Sequence, residues 1–452
     1  MTQRRQLKLG VSIRGLGYHA GGWRHPDVPS GGAMDFEHFV TVARIAEAAK
    51  LDMVFLADGV GIRQKDEPPG SLCRSNQNVE LEPITLLSAL AAVTKHIGLV
   101  ATASTTYNEP YHLARKFGSL DHISKGRAGW NLVTSWSDAE AFNFGREHQM
   151  AYADRYERAM EFAEVVTGLW DSWEGGAFVH DKASGVFYDP NRLHTLAHRG
   201  KHFSVLGPLS VDRSPQGRPV IVQAGASDQG RDIAARFADI VFSAEQDLDA
   251  ARAYYASVKG RLATHGRRAD ELLMLPGLVP IVGATRAEAQ AKHEALQELI
   301  DPLVGLSYIY GNFGDLSAYP IDGPVPEPKD PKLRSRAAVM FKLAQEKGYT
   351  IRQLCQAIAS GRGHRTVIGT PAEIADTMEE WVDQGAADGF NIIPTHLPGG
   401  LEDFVALVLP ELRRRGIFRE EYEARTFRGN LGLPEPQNRY TTARGRSTAL
   451  SA

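Results

Sequence analysis

The sequence predicts an α/β protein folded as a (β/α)8 TIM barrel with insertions, and three observations carry that prediction. Eight short apolar runs alternate with helical patterns, the mark of a parallel sheet covered by helices. Most runs end in polar or glycine residues, the place from which an α/β barrel presents side chains to ligands. A chain of 452 residues suits an eight-stranded barrel with insertions better than an open doubly wound sheet.

The first run, 8–13, leads into a glycine-rich loop. Asp35 can then cap a helix whose Phe39, Val42, Ala43, Ile45 and Ala46 recur at roughly helical spacing. The second run, 53–58, ends on Asp58. After a polar loop, Pro83 takes the favoured first position of a helix reaching residue 95. The third run, 97–104, ends on Ser104 and precedes a helix over 110–122. The fourth, 125–135, opens with a Lys125-Gly126 turn and delivers Asn131, Thr134 and Ser135 at its polar tip. A long patterned helix follows over 152–170.

Runs 219–225, 239–244 and 272–283 each precede a helical pattern, the first of these starting at Ser227. The eighth run, 390–395, follows a helix over 371–384. A last helix, 402–415, ends on three arginines that suit the negative end of its dipole. Stretches near 171–218 and 300–365 break the rhythm and read as insertions within one domain spanning 1–452. The aromatics Tyr308, Tyr310 and Phe313 make the second a candidate lid. The polar tail from about residue 424 is expected to wrap the body or an oligomer partner.

Hydrophobic content of 43% and charged content of 23% are those of an ordinary globular protein. A net charge of −3 gives no footprint for nucleic acid or an anionic membrane. Cys73 and Cys355 form neither a disulfide framework nor a C-x-x-C pair, which points to a reducing cytoplasm. No run of about 18 apolar residues exists to span a membrane, and no apolar leader core opens the sequence.

The predicted strand ends offer Arg14, Asp58, Ser104, Asn131, Thr134, Ser135, Gly225, Ala226, Ser227 and Thr395. This ring is rich in hydroxyls and amides, with neither paired glycosidase carboxylates nor a Ser-His-Asp trio. Gly225-Ala226-Ser227 could seat a phosphate at a helix N-terminus, although Ser227 could equally be a plain cap. Arg155 and Tyr156, at the start of the 152–170 helix, could reach the same ligand or serve packing. His194, His198 and His202 are spaced by four, but Gly200 interrupts any helix there, so no metal site is expected. No phosphate-binding G-x-x-x-x-G-K-[ST] or strand-borne G-x-G-x-x-G occurs. A phosphate seat beside an amide-rich pocket suggests that a bound cofactor carries the chemistry. No residue stands out as a general base.

Nine segments in register resemble a known family: 22–26 (GWRHP), 55–58 (FLAD), 93–96 (VTKH), 104–107 (STTY), 120–127 (LDHISKGR), 130–135 (WNLVTS), 155–156 (RY), 223–227 (QAGAS) and 388–391 (DGFN). The chain looks like the bacterial-luciferase-like flavin monooxygenases, in the branch of nitrilotriacetate, EDTA, dibenzothiophene-sulfone and long-chain alkane monooxygenases. The resemblance implies a barrel that takes reduced FMN (FMNH2) from a separate NAD(P)H:flavin reductase. With O2 as co-substrate, a C4a-peroxyflavin then oxygenates a small organic molecule.

Carried over by motif, Asp58 and Ser104 would hold the isoalloxazine region and Asn131 would line the same pocket. Tyr152, Tyr156 and Ser227 would surround the ribityl chain and phosphate. Many relatives carry His where this chain has Tyr152. The family also implies a homodimer or homotetramer. The first loop and the loops around Arg63 and Arg74 match no family pattern, so the substrate stays open. Arg14, Arg63 and Arg74 suit an anionic substrate, or ordinary solvation. A deazaflavin-dependent dehydrogenase and a non-catalytic flavin carrier are the alternatives.

Overall fold

The computed structural model describes residues 5–328 and 334–441. Residues 1–4 of the polar start, 329–333 of the second insertion and 442–452 of the tail lie outside the described residues. Eight parallel strands close a barrel: β1 (Lys8–Ile13), β2 (Met53–Leu56), β3 (Gly98–Ser104), β4 (Ala128–Val133), β5 (Val220–Gln223), β6 (Ile240–Ser243), β7 (Leu273–Val282) and β9 (Gly389–Ile392). β1 pairs with β2 and β9, and closure comes where Ile240 of β6 meets Leu273 of β7.

One strand was not anticipated. β8 (Arg365–Gly369) pairs with the outer half of β7, where Leu278 meets Arg365 on one edge and Ile392 on the other. β8 therefore takes up the edge of β7 above the point where β6 ends.

The helices that cover the barrel include α1 (Phe36–Ala48), α2 (Pro83–Val93), α3 (Pro110–Ile123), a short α4 (Asp138–Phe142), α5 (Tyr152–Trp170), α6 (Asp228–Phe237), α7 (Leu248–Arg261) and α8 (Arg286–Glu298). Asp35 caps α1 as expected, accepting from the Glu37 N–H. Leu9, Val11, Ile13, Val54 and Leu56 pack outward with Phe39, Leu87 and Phe117 of the helices. Met53, Phe55, Val100, Val222 and Leu275 fill the interior instead. This inside–outside alternation is the strand period of two.

The second insertion supplies α9 (Pro302–Phe313), α10 (Arg334–Lys347) and α11 (Ile351–Gly361), with Leu306, Ile309, Leu354 and Cys355 buried in one cluster. The first insertion is not helical where its histidines lie. It forms two short antiparallel ribbons, Phe178–Asp181 with Val186–Tyr188 and His198–Arg199 with Ser204–Val205. After α12 (Pro371–Asp383), the helix expected over 402–415 runs unbroken through Gly399–Asp403, a π stretch at Phe404–Val408 and Leu409–Arg414. Pro410 lacks the N–H that a regular turn would use, so the hydrogen-bond ladder shifts there.

Part of the tail closes the lower end of the barrel. Phe427 sits so close beneath β3 and β4 that a Cβ on Gly98 would fall 2.5 Å from its ring, and one on Gly129 would fall 3.3 Å away. Leu431 and Leu433 join the same interior cluster. Arg428 forks onto Asp239 at 2.8 and 2.7 Å, and Arg419 pairs with Asp52, both ion pairs being buried. The described part of the tail thus plugs its own barrel at Phe427 and then lies against the end of α5, where Arg439 pairs with Asp171 at 3.1 Å, so it holds to the body as expected. Among the described residues no helix is long and apolar enough to cross a membrane.

Candidate active site

At the C-terminal ends of the strands lies a cavity of about 610 Å³, within the range of ~300–1,000 Å³ common for ligand sites. Its walls come from Arg14 after β1, Asp58 after β2, Thr134 and Ser135 after β4, Gln223 to Gly225 at the end of β5, and Tyr152, Arg155 and Tyr156 of α5. The loop residues Arg63 and Gln77 close one side.

Asp58 stands two residues beyond β2. Burial, reinforced by the negative charge of Glu80, pushes its carboxyl up to about 6, against the pull of the Gly59 N–H. Glu80 is itself held by Arg14 Nε at 2.7 Å.

The β4 tip is a tight polar knot. Ser135 has φ +56°, a conformation uncommon outside glycine, and such strain often marks functional sites. Its Oγ donates to Glu140 Oε1 at 2.8 Å and lies 2.9 Å from Ser104 Oγ. The other Glu140 oxygen accepts from the N–H groups of Trp136 and Ser137 at 3.0 and 3.1 Å, completing a capping box on α4. Ser104 therefore stands directly behind a cavity-lining hydroxyl. Asn131 lies deeper, its Nδ2 donating to Thr102 Oγ1 at 2.8 Å while its Oδ1 is buried without a partner.

On the opposite wall the Tyr152 and Tyr156 rings lie 4.7 Å apart, and the Tyr152 hydroxyl donates to Gln229 at 3.3 Å. Ser227 caps α6, its Oγ accepting from the Gly230 N–H at 3.1 Å. The hydroxyl proton stays available, so capping and phosphate binding are compatible roles. Gly225 lets this turn pack closely on the start of α6, because a Cβ there would lie 3.0 Å from the Gly230 Cα. Gln223 Oε1 and Arg155 Nε are also buried and unpartnered. Such orphaned polar groups around a cavity fit a polar ring system that supplies the missing partners.

The predicted site residues thus fall into two shells. Asp58, Tyr152 and Tyr156 line the cavity, while Ser104, Asn131 and Ser227 stand behind or beside it. Glu140 and Gln223 were missed, and the Ser137–Glu140 spacing, S-x-x-E, was the signal that could have found the first. Arg74 is taken by Asp301 at 3.3 Å and is not part of the wall. Of the three spaced histidines, His194 stands apart, bonding Glu174 at 2.6 Å and stacking on Tyr440, whereas His198 Nε2 and the His202 N–H both meet Glu161, at 3.0 and 2.9 Å.

A closed parallel barrel with this polar cavity beside a helix N-terminus defines an α/β-barrel enzyme built around a bound small molecule. Residues 16–388 match the luciferase-like monooxygenase family, and the chain belongs to it. It is 48% identical to the N-acetyl-S-(2-succino)cysteine monooxygenase of Bacillus subtilis (strain 168), covering 97% of this chain and 99% of the relative. Identity and coverage are the same for nitrilotriacetate monooxygenase component A of Aminobacter aminovorans. Among solved structures, DmoA from Hyphomicrobium sulfonivorans superposes with a TM-score of 0.85 at 33% identity, over 95% of this chain and 92% of that one. The protein is a two-component monooxygenase that uses reduced flavin and O2 on a small organic substrate. A non-catalytic carrier is thereby set aside.

Proposed function

We propose that the flavin is FMN, received as FMNH2 from a separate NAD(P)H:flavin reductase in the cytoplasm by a homodimer or homotetramer of single-domain barrels. When bound, reduced flavin supplies the two electrons that activate O2, one oxygen atom entering the substrate and the other leaving as water. Asp58 and Ser104 hold the isoalloxazine region, Ser104 acting together with Ser135. The free amide oxygens of Asn131 and Gln223 suit ring N–H groups. Tyr152 and Tyr156 flank the ribityl chain. The Ser227 hydroxyl and the first N–H groups of α6 receive the phosphate, and the Asp228 charge that would oppose it is taken by Arg261. The walls exclude water from the reacting centre.

The observation that carries this reading is the joining of an orphan-rich polar cavity to the α6 start through Gly225 and the Tyr152–Gln229 bond. Anaerobic titration with FMNH2 and FMN, followed by rapid mixing with oxygenated buffer, tests it. FMNH2 is expected to bind more tightly than FMN and to reoxidise more slowly than free FMNH2. Equal affinity for both forms with unaltered reoxidation would sink the reading.

A further inference from the structure

Three metal-ligating side chains meet beside the barrel mouth, none of them among the residues that line the cavity. His25 and Asp27 belong to the loop after β1, and His396 to the loop after β9. One ligand atom of each lies within 4.8 Å of the others. Among the described residues no other three His, Cys, Asp or Glu side chains gather so closely. The third ligand stands far along the chain from the first two, so no sequence spacing announces the group.

The backbone joins the two loops without help from an ion. The Tyr18 N–H donates to the Pro394 carbonyl at 3.1 Å, the His19 N–H to that of Thr395 at 2.9 Å, and the Leu397 N–H to that of Leu16 at 3.0 Å. Glycine permits so close an approach. A Cβ on Gly17 would lie 2.5 Å from the His396 Cα, and one on Gly22 would lie 2.4 Å from the Thr395 carbonyl oxygen. An ion thus finds its ligands already assembled.

His25 Nδ1 and an Asp27 carboxylate oxygen stand 3.6 Å apart. That is close to the edge, about 3.3 Å, of a tetrahedron with zinc bonds of about 2.0–2.1 Å. The His25 and His396 rings face each other at 4.1 Å, and rotation about the broad χ2 torsion of histidine turns a nitrogen of each toward a shared ion. Thr395 Oγ1 lies 3.0 Å from His396 Nδ1, the kind of supporting bond that fixes the tautomer and orientation of a ligating imidazole. Gly399 gives the other nitrogen room, since a Cβ there would fall 2.7 Å from Nε2. Burial pushes the His396 pKa down to about 4, so its ring is neutral at pH 7, as a metal ligand must be.

We propose that His25, Asp27 and His396 bind one divalent transition-metal ion of the zinc class, which clips the β1 loop to the β9 loop at the mouth. Two imidazoles and a carboxylate suit zinc, whereas magnesium prefers oxygen ligands alone. The Asp27 side chain is 71% exposed, so a remaining coordination position faces water. The ligands stand outside the cavity, and the ion therefore braces its wall and binds whether or not flavin is present.

Calorimetric titration of the full-length, untagged, flavin-free protein with zinc chloride tests the site, with magnesium chloride as the competing hard cation. The tightest zinc site is expected to hold one ion per chain and to ignore equal magnesium. His25→Ala and Asp27→Ala should each weaken it about a hundredfold or more, because loss of a mere supporting group already costs about 10–100-fold. Thr395→Val, which removes only such support, should fall between these and the wild type. His25 and Asp27 both reach the surface, so their variants stay informative if His396→Ala misfolds. Zinc should also raise the Tm of the wild type and not that of Asp27→Ala. The proposal is overturned if the wild type binds no zinc, or if equal magnesium displaces it. It is equally overturned if His25→Ala and Asp27→Ala bind zinc as the wild type does, the mark of an adventitious ion at another histidine.

Discussion

Asp58 shows how a single residue at the mouth is tuned by one far from it in sequence. Its carboxyl is pushed from 3.8 up to about 6, first by burial and then by Glu80. Between those two values the folded protein holds the proton more tightly than the unfolded chain, so ionising Asp58 works against the fold as pH rises from about 4 to about 6. Below about pH 6 the neutral acid can donate to a bound ring, and above it the carboxylate can only accept. Flavin affinity should therefore show an inflection near pH 6. Glu80→Gln should move that inflection down, because it removes the negative neighbour and frees Arg14. Asp58→Asn should abolish it. An inflection unmoved in Glu80→Gln would show that Glu80 does not set it. Asp58, Ser104 and Asn131 were legible as strand ends. Glu80 was not, because it reaches the mouth from a loop whose path no local pattern encodes, whereas Glu140 lay within a legible S-x-x-E spacing.

At the scale of elements, the strands and long helices were legible because periods of two and 3.6 repeat over many residues. β8 is only five residues long and half-buried, and the plug is a four-residue helix, Phe427–Asn430, so neither repeats long enough to show. Yet the plug carries a buried fork, Arg428 on Asp239, and the arginine holds that carboxyl down at about 2 despite its burial. Removing one partner of a buried pair typically costs about 3–5 kcal/mol. Arg218 and Arg267 also face Asp239 and soften the loss, so Arg428→Met should cost about 3 kcal/mol in denaturant unfolding. The sign of the pH effect follows from the lowered pKa. The stabilisation is present above about pH 4 and is lost as pH falls towards 2. Wild type should lose stability steeply across that window and Arg428→Met should lose less. Parallel acid limbs would mean that the pair is not the source.

For the whole molecule, the barrel separates two tasks. The lower end, where Phe427 packs under Gly98 and Gly129, holds the cylinder closed, and the upper end holds the chemistry. Because these ends lie at opposite ends of the strands, with the interior cluster of Phe55, Val100 and Val222 between them, changes at one should leave the other's behaviour largely intact. Gly98→Ala drives a methyl to 2.5 Å from the Phe427 ring, and such overpacking costs about 1–3 kcal/mol. Thermal unfolding should register that loss while FMNH2 affinity of the folded fraction stays within about twofold. Tyr152→Ala is the converse case. Its side chain is 44% exposed, so stability should change by less than about 0.5 kcal/mol. FMNH2 binding should weaken several-fold through loss of the Tyr152–Tyr156 wall and the link to Gln229. Measured side by side, the two variants should give opposite pairs of results. If Gly98→Ala weakened flavin binding as much as Tyr152→Ala does, the strands would be transmitting the plug's packing to the mouth, and the barrel would be one coupled body rather than a scaffold with independent ends.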